Sequence, residues 1–429
     1  MQGPENPSVA SDTSTPALPT AGALLATLSQ AFDRAEGVSA GHNLRACRFA
    51  LAMGGQLGLP GPLLEELRAA MLLKDSGCTA NASRVWRLFG GDDREVKRRS
   101  KLEEWNRIAG GLRFVLRNTD GGMRPADRFR SVAALIATPG AVVADIVRLR
   151  CQRGGEIARG IGLGPRVAAA IQAAEERWNG TGAPGQLAGE DIPYLARFIQ
   201  IAQAVEIVAT ESGFDHAASF LASKSGVWFD PSLVKVAHRV LADRAFRAQW
   251  SLPVVDAVAS IDAAVDARPM TDTEFDVLLA VFGDIVDAKC GFLEGHSRRV
   301  GETARRIGVR MGLSEDIQRL LLRAGFVHDL GAIGLPIRLL EKPSALDSEE
   351  REQIRMHPEW TAEALSGLPD LEALRQVAAA HHLRVDGAGY GPTPCTPEMD
   401  LCGRILAVAE VCDAVLGDRP HRARRPPDG

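Results

Sequence analysis

A histidine and an aspartate stand side by side at His328 and Asp329, where an apolar helical pattern meets a run of glycines. An imidazole nitrogen and a carboxylate are ligands that suit Fe, Mn, Mg or Zn rather than the metals that prefer thiolates. Other histidines and a glutamate in the second half of the chain strengthen the case that this pair binds metal. The complete set of candidate metal ligands is His296, His328, Asp329, His357, His381, His382 and Glu410.

Clusters of this kind hold two or more metal ions inside helical bundles. A single histidine is more often a core or helix-end residue, but five of the nine histidines of the chain belong to this set. We therefore favour metal binding over a purely structural role. Two or three metals bridged by Asp329 would activate water for in-line attack on a phosphodiester. Asp329 and His328 are accordingly the predicted catalytic residues.

Helices must bring these residues together, because no stretch shows the period-two pattern of a strand. Ser314 is predicted to cap a helix that ends near His328. Asp347 and Glu350 have the spacing of a capping box for the helix that leads to His357. The predicted fold class is all-α.

The chain contains an internal repeat. Thirty-two residues separate His42 from Lys74, and thirty-two separate His296 from His328. Two further intervals and two short motifs also agree between the halves, which predicts two tandem helical bundles. In the first copy, Lys74 and Gln203 replace a histidine and a glutamate of the second copy. An ammonium group at this position would repel a metal cation, so only the second copy is expected to bind metal.

The predicted organisation has four parts. Residues 1–19 are rich in Pro, Ser and Thr and are expected to form a disordered tail. Residues 20–245 form the degenerate first copy, 246–270 a linker and 271–429 the metal-binding second copy. The first copy continues further beyond Gln203 than the second does beyond Glu410, so the second copy is expected to be truncated at its C-terminal end.

Composition excludes several classes of protein. The net charge of −4, with 24% charged residues, indicates no direct binding to DNA. No apolar run reaches the roughly 18 residues of a membrane span, and no signal-peptide pattern opens the chain. Seven scattered cysteines lack the spacing of zinc fingers. These features favour a reduced, cytoplasmic protein.

The order of the motifs resembles the HD-GYP domains of the HD phosphohydrolase superfamily. The matching motifs are His-Asp followed by Gly-x-Ile-Gly-x-Pro, then a lone histidine, then His-His-x-x-x-Asp-Gly-x-Gly-Tyr. The resemblance covers about residues 275–422 and, in degenerate form, about residues 21–241. It implies tandem HD-type bundles and a phosphodiesterase that hydrolyses cyclic di-GMP in bacterial signalling. It also implies two or three divalent metal ions, Fe or Mn first, with Mg, Ni or Zn as alternatives.

The resemblance assigns roles to individual residues. The seven candidate ligands named above take the metal-binding positions of the family. Asp386, Gly387, Gly389 and Tyr390 match the loop that lies over the substrate and meets partner proteins. Arg404, which the repeat pairs with an arginine of the first copy, is a further predicted substrate-binding residue.

Several positions depart from the family pattern. Ala332 replaces a lysine that contacts substrate phosphate, Leu383 replaces a glutamate, and Glu410 stands where the family usually has an aspartate. The signature loop is also one residue longer. Loss of a phosphate-binding cation weakens stabilisation of the transition state. Two other functions therefore stay open: a non-catalytic signalling adaptor that binds a nucleotide or a diguanylate cyclase, and hydrolysis of a mononucleotide.

Overall fold

The protein is described by a computed structural model made of helices and irregular segments. The described residues are 18–89, 92–100, 139–183, 185–264 and 268–417. No β-strand forms within these ranges, where two isolated bridges pair Thr20 with Pro269 and Ser225 with Phe229. The all-α prediction is confirmed. Among the described helices, none has the length and apolar character needed to cross a membrane.

Two sets of helices make up the molecule. The described α-helices of the first half are Ala21–Ala35, His42–Gln56, Gly61–Leu73, Ala82–Phe89, Asp93–Ser100, Pro139–Gly160, Pro165–Gln172, Tyr194–Ser212, Phe214–Lys224 and Pro231–Ala242. The helices Arg244–Ala248 and Val254–Ala263 follow. The described α-helices of the second half are Asp272–Asp287, His296–Arg310, Glu315–Val327, Ile337–Leu340, Ser348–Arg355, His357–Ala364, Glu372–Ala379 and Pro397–Leu416.

The halves repeat the same local arrangement at the positions predicted to match. Gly41 and Gly295 have φ angles of 79° and 69°, a left-handed conformation that glycine adopts easily. Each is followed by a 15-residue helix that begins with a histidine. The next matching helix has 13 residues in both halves and ends directly before Lys74 or His328. The repeated spacing therefore reflects a repeated fold.

The predicted N-caps set where the helices that lead to the candidate ligands begin. Ser314 accepts a hydrogen bond from the backbone of the first helical turn, and Asp347 forms a capping box with Glu350. The Glu315–Val327 helix ends before His328, and a 3-10 turn follows at Leu330–Gly334. The His-Asp pair consequently lies where regular helix gives way to a tight turn.

The two halves pack on a common hydrophobic core. The rings of Phe32 and Phe282 stack across the contact with centroids 5.5 Å apart. The Ala21–Ala35 helix packs against the Leu330–Gly334 turn and the His357–Ala364 helix. Burial of apolar surface between the halves favours their association, and it places the first half directly behind the candidate site.

The stretch 246–270, predicted as a linker, contains the helix Val254–Ala263, and three side chains of this helix are buried. The helix packs on the first two helices of the first half. The predicted tail lies outside the described residues as far as residue 17, and Pro19 O accepts a hydrogen bond from Met270 N at 3.0 Å. Residues 418–429 also lie outside the described part of the chain.

Candidate metal centre

Helix ends bring the seven predicted ligands together. Six of them lie within three residues of a helix end, and Glu410 projects from the helix Pro397–Leu416. The helices that carry His296 and His328 approach closely, since a Cβ at Gly325 would lie only 2.2 Å from the Cα of Gly301. The two imidazole rings are consequently 5.2 Å apart.

The first group of ligands consists of His296, His328 and Glu410, whose donor atoms lie within 4.8 Å of one another. Glu410 Oε2 is 2.9 Å from His296 Nε2 and 3.3 Å from His328 Nε2. Asp329 Oδ2 faces the same nitrogen atoms at 3.9 and 3.7 Å. Two imidazoles and two carboxylates form a donor set that suits a divalent ion.

The second group consists of His357, His381 and His382. Asp329 Oδ1 is 3.2 Å from His357 Nε2 and 3.6 Å from His381 Nε2. These two nitrogen atoms are 3.0 Å apart. Asp329 therefore turns one carboxylate oxygen toward each group, which is the arrangement needed to bridge two metal ions.

The inward-facing nitrogen of four histidines is Nε2, because Nδ1 has a partner outside the centre. Nδ1 of His328, His357 and His381 lies 2.9, 2.7 and 2.7 Å from the carbonyl oxygen three residues earlier. Nδ1 of His296 lies 2.7 Å from Asp413 Oδ2. An Nδ1–H that donates outward leaves the Nε2 lone pair facing the centre. The residues present thus fit a divalent metal centre.

Charges in the centre suit a cation. Burial lowers the pKa of His296, but hydrogen bonds with Asp413 and Glu410 outweigh it and raise the pKa to about 10. His296 is therefore protonated at neutral pH without a metal, and binding of a metal ion through Nε2 would release this proton. Burial raises the carboxyl pKa of Asp329 and Glu410, yet the surrounding histidines hold both well below their usual range. Burial and neighbouring histidines lower the pKa of His382 to about 2. At neutral pH both carboxylates are therefore charged and His382 is neutral.

Asp413 is a candidate site residue that the sequence motifs did not indicate. It lies one turn after Glu410 on the same helix and is 117 residues from its partner His296. Arg299 Nε donates to Asp413 Oδ1 at 2.6 Å and holds the carboxylate in place. The signal in the sequence was the three-residue spacing from Glu410, which puts both carboxylates on neighbouring parts of one helix face.

Replacing Asp413 with alanine should weaken metal binding by about 10- to 100-fold, because His296 loses the partner that orients its ring. Titration calorimetry with Mn²⁺ measures the change. Asp400→Ala is the matched control on the same helix, where Asp400 pairs with Arg404 at 3.0 Å on the surface. An unchanged Kd in Asp413→Ala would contradict the orienting role.

The loop predicted to lie over the substrate covers the second ligand group. The ring of Tyr390 stacks on His382 with centroids 4.6 Å apart and an interplanar angle of 27°. Gly389 is half-buried beside it, whereas Asp386 and Gly387 are exposed. The loop thus has one end against the centre and the other in solvent.

Arg404, also predicted to bind substrate, lies elsewhere. It is exposed and ion-paired with Asp400 on the outer face of the last described helix. Arg404 precedes Glu410 by six residues, so at roughly 100° per residue the two side chains point about 120° apart around the axis. The structure does not bring Arg404 to the centre.

A cavity of about 580 Å³ opens beside the ligands, and four of them form part of its wall. Lys342, which is ion-paired with Glu350, and Arg351 bring basic side chains to the lining, while Leu335 and Leu339 provide apolar surface. Ala332 also lines this cavity. Its volume is in the range of small-molecule sites, and its lining suits an anion that carries aromatic groups.

In the first half, the ammonium group of Lys74 lies at the position that matches His328 in the second half. Lys74 Nζ is 3.4 Å from His42 Nε2 and forms an ion pair with Asp75. Lys74 and Asp75 are 5% and 3% exposed. Glu206 pairs with His42 Nδ1 in the way that an aspartate pairs with the matching histidine of the second half. The first half thus carries a built-in cation where the second half has room for a metal.

A second buried cluster of the first half contains Glu36, Asp75 and Cys78, whose donor atoms lie within 4.8 Å of one another. Lys97 and Arg150 approach the carboxylate of Glu36 to 4.0 and 3.8 Å. Burial raises the pKa of the Cys78 thiol well above its usual value, so the thiol stays protonated. Side-chain cations thus balance this cluster, in contrast to the ligand groups of the second half.

Comparison with known proteins agrees with this geometry. The HD domain family matches residues 142–233 and 280–428. The 3'3'-cGAMP-specific phosphodiesterase 3 of Vibrio cholerae is 32% identical over 406 residues, which cover 94% of this chain and 88% of that protein. A cyclic di-GMP phosphodiesterase of Thermotoga maritima is 37% identical over 133 residues, covering 30% of this chain and 36% of that protein.

A solved structure extends the likeness to three dimensions. The crystal structure of a cyclic GMP-AMP specific phosphodiesterase from V. cholerae has a TM-score of 0.67 and 28% identity, and the match covers 95% of this chain and 91% of that one. The family match falls in both halves, as the predicted repeat requires. Together with the paired ligand groups around Asp329, these likenesses establish that the chain belongs to the HD-GYP family of the HD superfamily.

Proposed function

We propose that the second half hydrolyses 3'3'-linked cyclic dinucleotides as a metal-dependent phosphodiesterase. The activity class follows from the family and from the relatives named above. The observation that carries the proposal is the carboxylate of Asp329, with one oxygen toward each of two ligand groups. The two ligand groups would hold divalent ions, whose chemistry would be to lower the pKa of water and to neutralise charge on the phosphate oxygens.

Residues of the chain itself hold the charges that this reaction needs. Asp329 and Glu410 stay ionised among the histidines, and Lys342 and Arg351 line the cavity beside them. We assign these two cations to the phosphate groups of the substrate. They offset the loss of the family lysine at Ala332, and this favours an active enzyme over a non-catalytic adaptor.

The first candidate substrate is 3'3'-cyclic GMP-AMP, because the relative that spans 94% of the chain is named for it. Cyclic di-GMP, the substrate expected from sequence, is the second candidate and is supported by shorter matches. Each has two phosphate charges and two purine bases, which complement the cationic and leucine-lined cavity. Fe or Mn are the proposed metals, since imidazole and carboxylate together suit them.

A diguanylate cyclase domain is the proposed protein partner, and the exposed end of the loop at Asp386 and Gly387 is its proposed contact. The adaptor alternative would use the same loop without turnover. Pull-down of a diguanylate cyclase domain by the wild-type chain, and its loss in a variant with a shortened loop, would support this contact.

Protein purified without oxygen and loaded with Fe or Mn should hydrolyse 3'3'-cyclic GMP-AMP with a higher kcat/KM than cyclic di-GMP. Chromatography of the linear products measures both rates, and His328→Ala is the control that should lose turnover. A higher kcat/KM for cyclic di-GMP would reverse the order of substrates. Two bound metals per chain without hydrolysis of either dinucleotide would contradict the enzyme and favour the adaptor.

A further inference from the structure

The turn that follows Asp329 shapes the candidate site. It runs from Leu330 to the short helix Ile337–Leu340, and its residues Ala332 and Leu335 line the cavity. Ala332 N donates to Asp329 O at 2.8 Å. A displacement of the turn would therefore move both the cavity wall and the backbone of the residue that faces both ligand groups.

Two residues of the first half bind the backbone of this turn. Arg94 Nη1 donates to Gly334 O at 2.8 Å, and Ile337 N donates to Asp93 Oδ1 at 3.1 Å. Asp93 and Arg94 begin the helix Asp93–Ser100 and are 244 and 240 residues from their partners in the chain. The first half thus contacts the turn from outside the metal-binding bundle.

A lysine of the second half also binds the backbone of this turn. Lys289 Nζ donates to the carbonyl oxygens of Ile333 and Leu335. Lys289 and Asp93 are 3% and 1% exposed, and Lys97 pairs with Asp93 at 3.3 Å. In such a dry setting each hydrogen bond is strong, and leaving one group without its partner is costly.

The back of the turn is also closely packed. A Cβ at Gly334 would lie 2.9 Å from the Cβ of Arg34 in the first helix of the first half. The guanidinium of Arg34 lies 5.0 Å from the ring centroid of Trp360. Gly331 N donates to Thr361 Oγ1 at 2.9 Å. The turn is therefore held between the first half and the helix His357–Ala364, with its front toward the cavity.

We propose that Asp93 and Arg94 are positioning residues for the metal centre, and that the degenerate first half is the scaffold that sets its geometry. They are hydrogen-bonded to the turn rather than to any of the seven ligands, and they act through the turn. The inference rests on the proposed function. Misplacement of reacting groups by about 1 Å can cost on the order of 10²-fold in rate, so a small shift of the turn has a large effect.

Arg94→Ala in the full-length chain should lower kcat by about tenfold or more, with KM and metal content close to those of the wild type. Arg94→Lys keeps a donor and should recover part of kcat. Asp93→Asn keeps an acceptor for Ile337 N and should have a higher kcat than Asp93→Ala. Arg98→Ala, exposed on the same helix, is the matched control. Wild-type kcat in both alanine variants would overturn the proposal.

Hydrogen exchange separates a failure of this inference from a failure of the proposed function. The amide of Ile337 reports the contact with Asp93 directly, even if the wild-type protein hydrolyses no cyclic dinucleotide. Faster exchange in Asp93→Ala that is confined to residues 331–337 supports the proposed positioning of the turn by Asp93. Unchanged exchange in this turn, or an equal rise throughout both halves, would show that Asp93 has no positioning role.

Discussion

Asp329→Asn should abolish hydrolysis and reduce bound metal at the same time. The carboxylate faces two imidazoles with each oxygen, whereas asparagine keeps one oxygen and turns an NH₂ group to the other side. One ligand group would then meet donor hydrogens instead of negative charge. We expect turnover to fall by about 10²- to 10³-fold or more, measured as kcat, with metal content determined by elemental analysis.

The matched control for this variant is Asp316→Asn. Asp316 lies exposed in the first turn of the Glu315–Val327 helix that leads to the His-Asp pair. The control makes the same chemical change on the same element and should keep wild-type turnover and metal content. Two metals per chain together with wild-type turnover in Asp329→Asn would rule out the bridging role.

Lys74→Met should destabilise the protein by about 3–5 kcal/mol, the usual cost of removing one partner of a buried ion pair. The reason is that Asp75, only 3% exposed, loses the ammonium group that balances its charge. Equilibrium unfolding in urea measures the loss. Metal binding in the second half should stay at the wild-type level, since Lys74 belongs to the first half.

A double substitution separates the ion pair from the packing of the lysine side chain. Lys74→Met combined with Asp75→Leu removes both charges and should recover most of the lost stability, because no unbalanced charge stays buried. If the double variant were less stable than Lys74→Met, the idea that Lys74 replaces a metal as the internal cation would fail. The surface pair Arg166 and Glu66 provides a control in which removal of the arginine should leave stability close to that of the wild type.

The chemistry of the centre was visible in the sequence because its signals are local. Caps and breakers at Ser314, Asp347 and Gly331 determine where helices begin and end. Those ends carry the histidines and Asp329. The repeated 32-residue interval likewise indicated two similar bundles and the exchange of a metal ligand for Lys74. Short-range spacing was sufficient for these conclusions, since each depends on a few neighbouring residues.

Only the tertiary structure decided how these residues meet. Asp329 faces two ligand groups, and His296 pairs with Asp413 across 117 residues of chain. Arg404 faces outward although the repeat placed it among the site residues. The contact of Arg94 with Gly334 joins residues 240 positions apart. Such contacts depend on the packing angles between helices and on the direction of each side chain around its axis, which short-range sequence spacing does not specify.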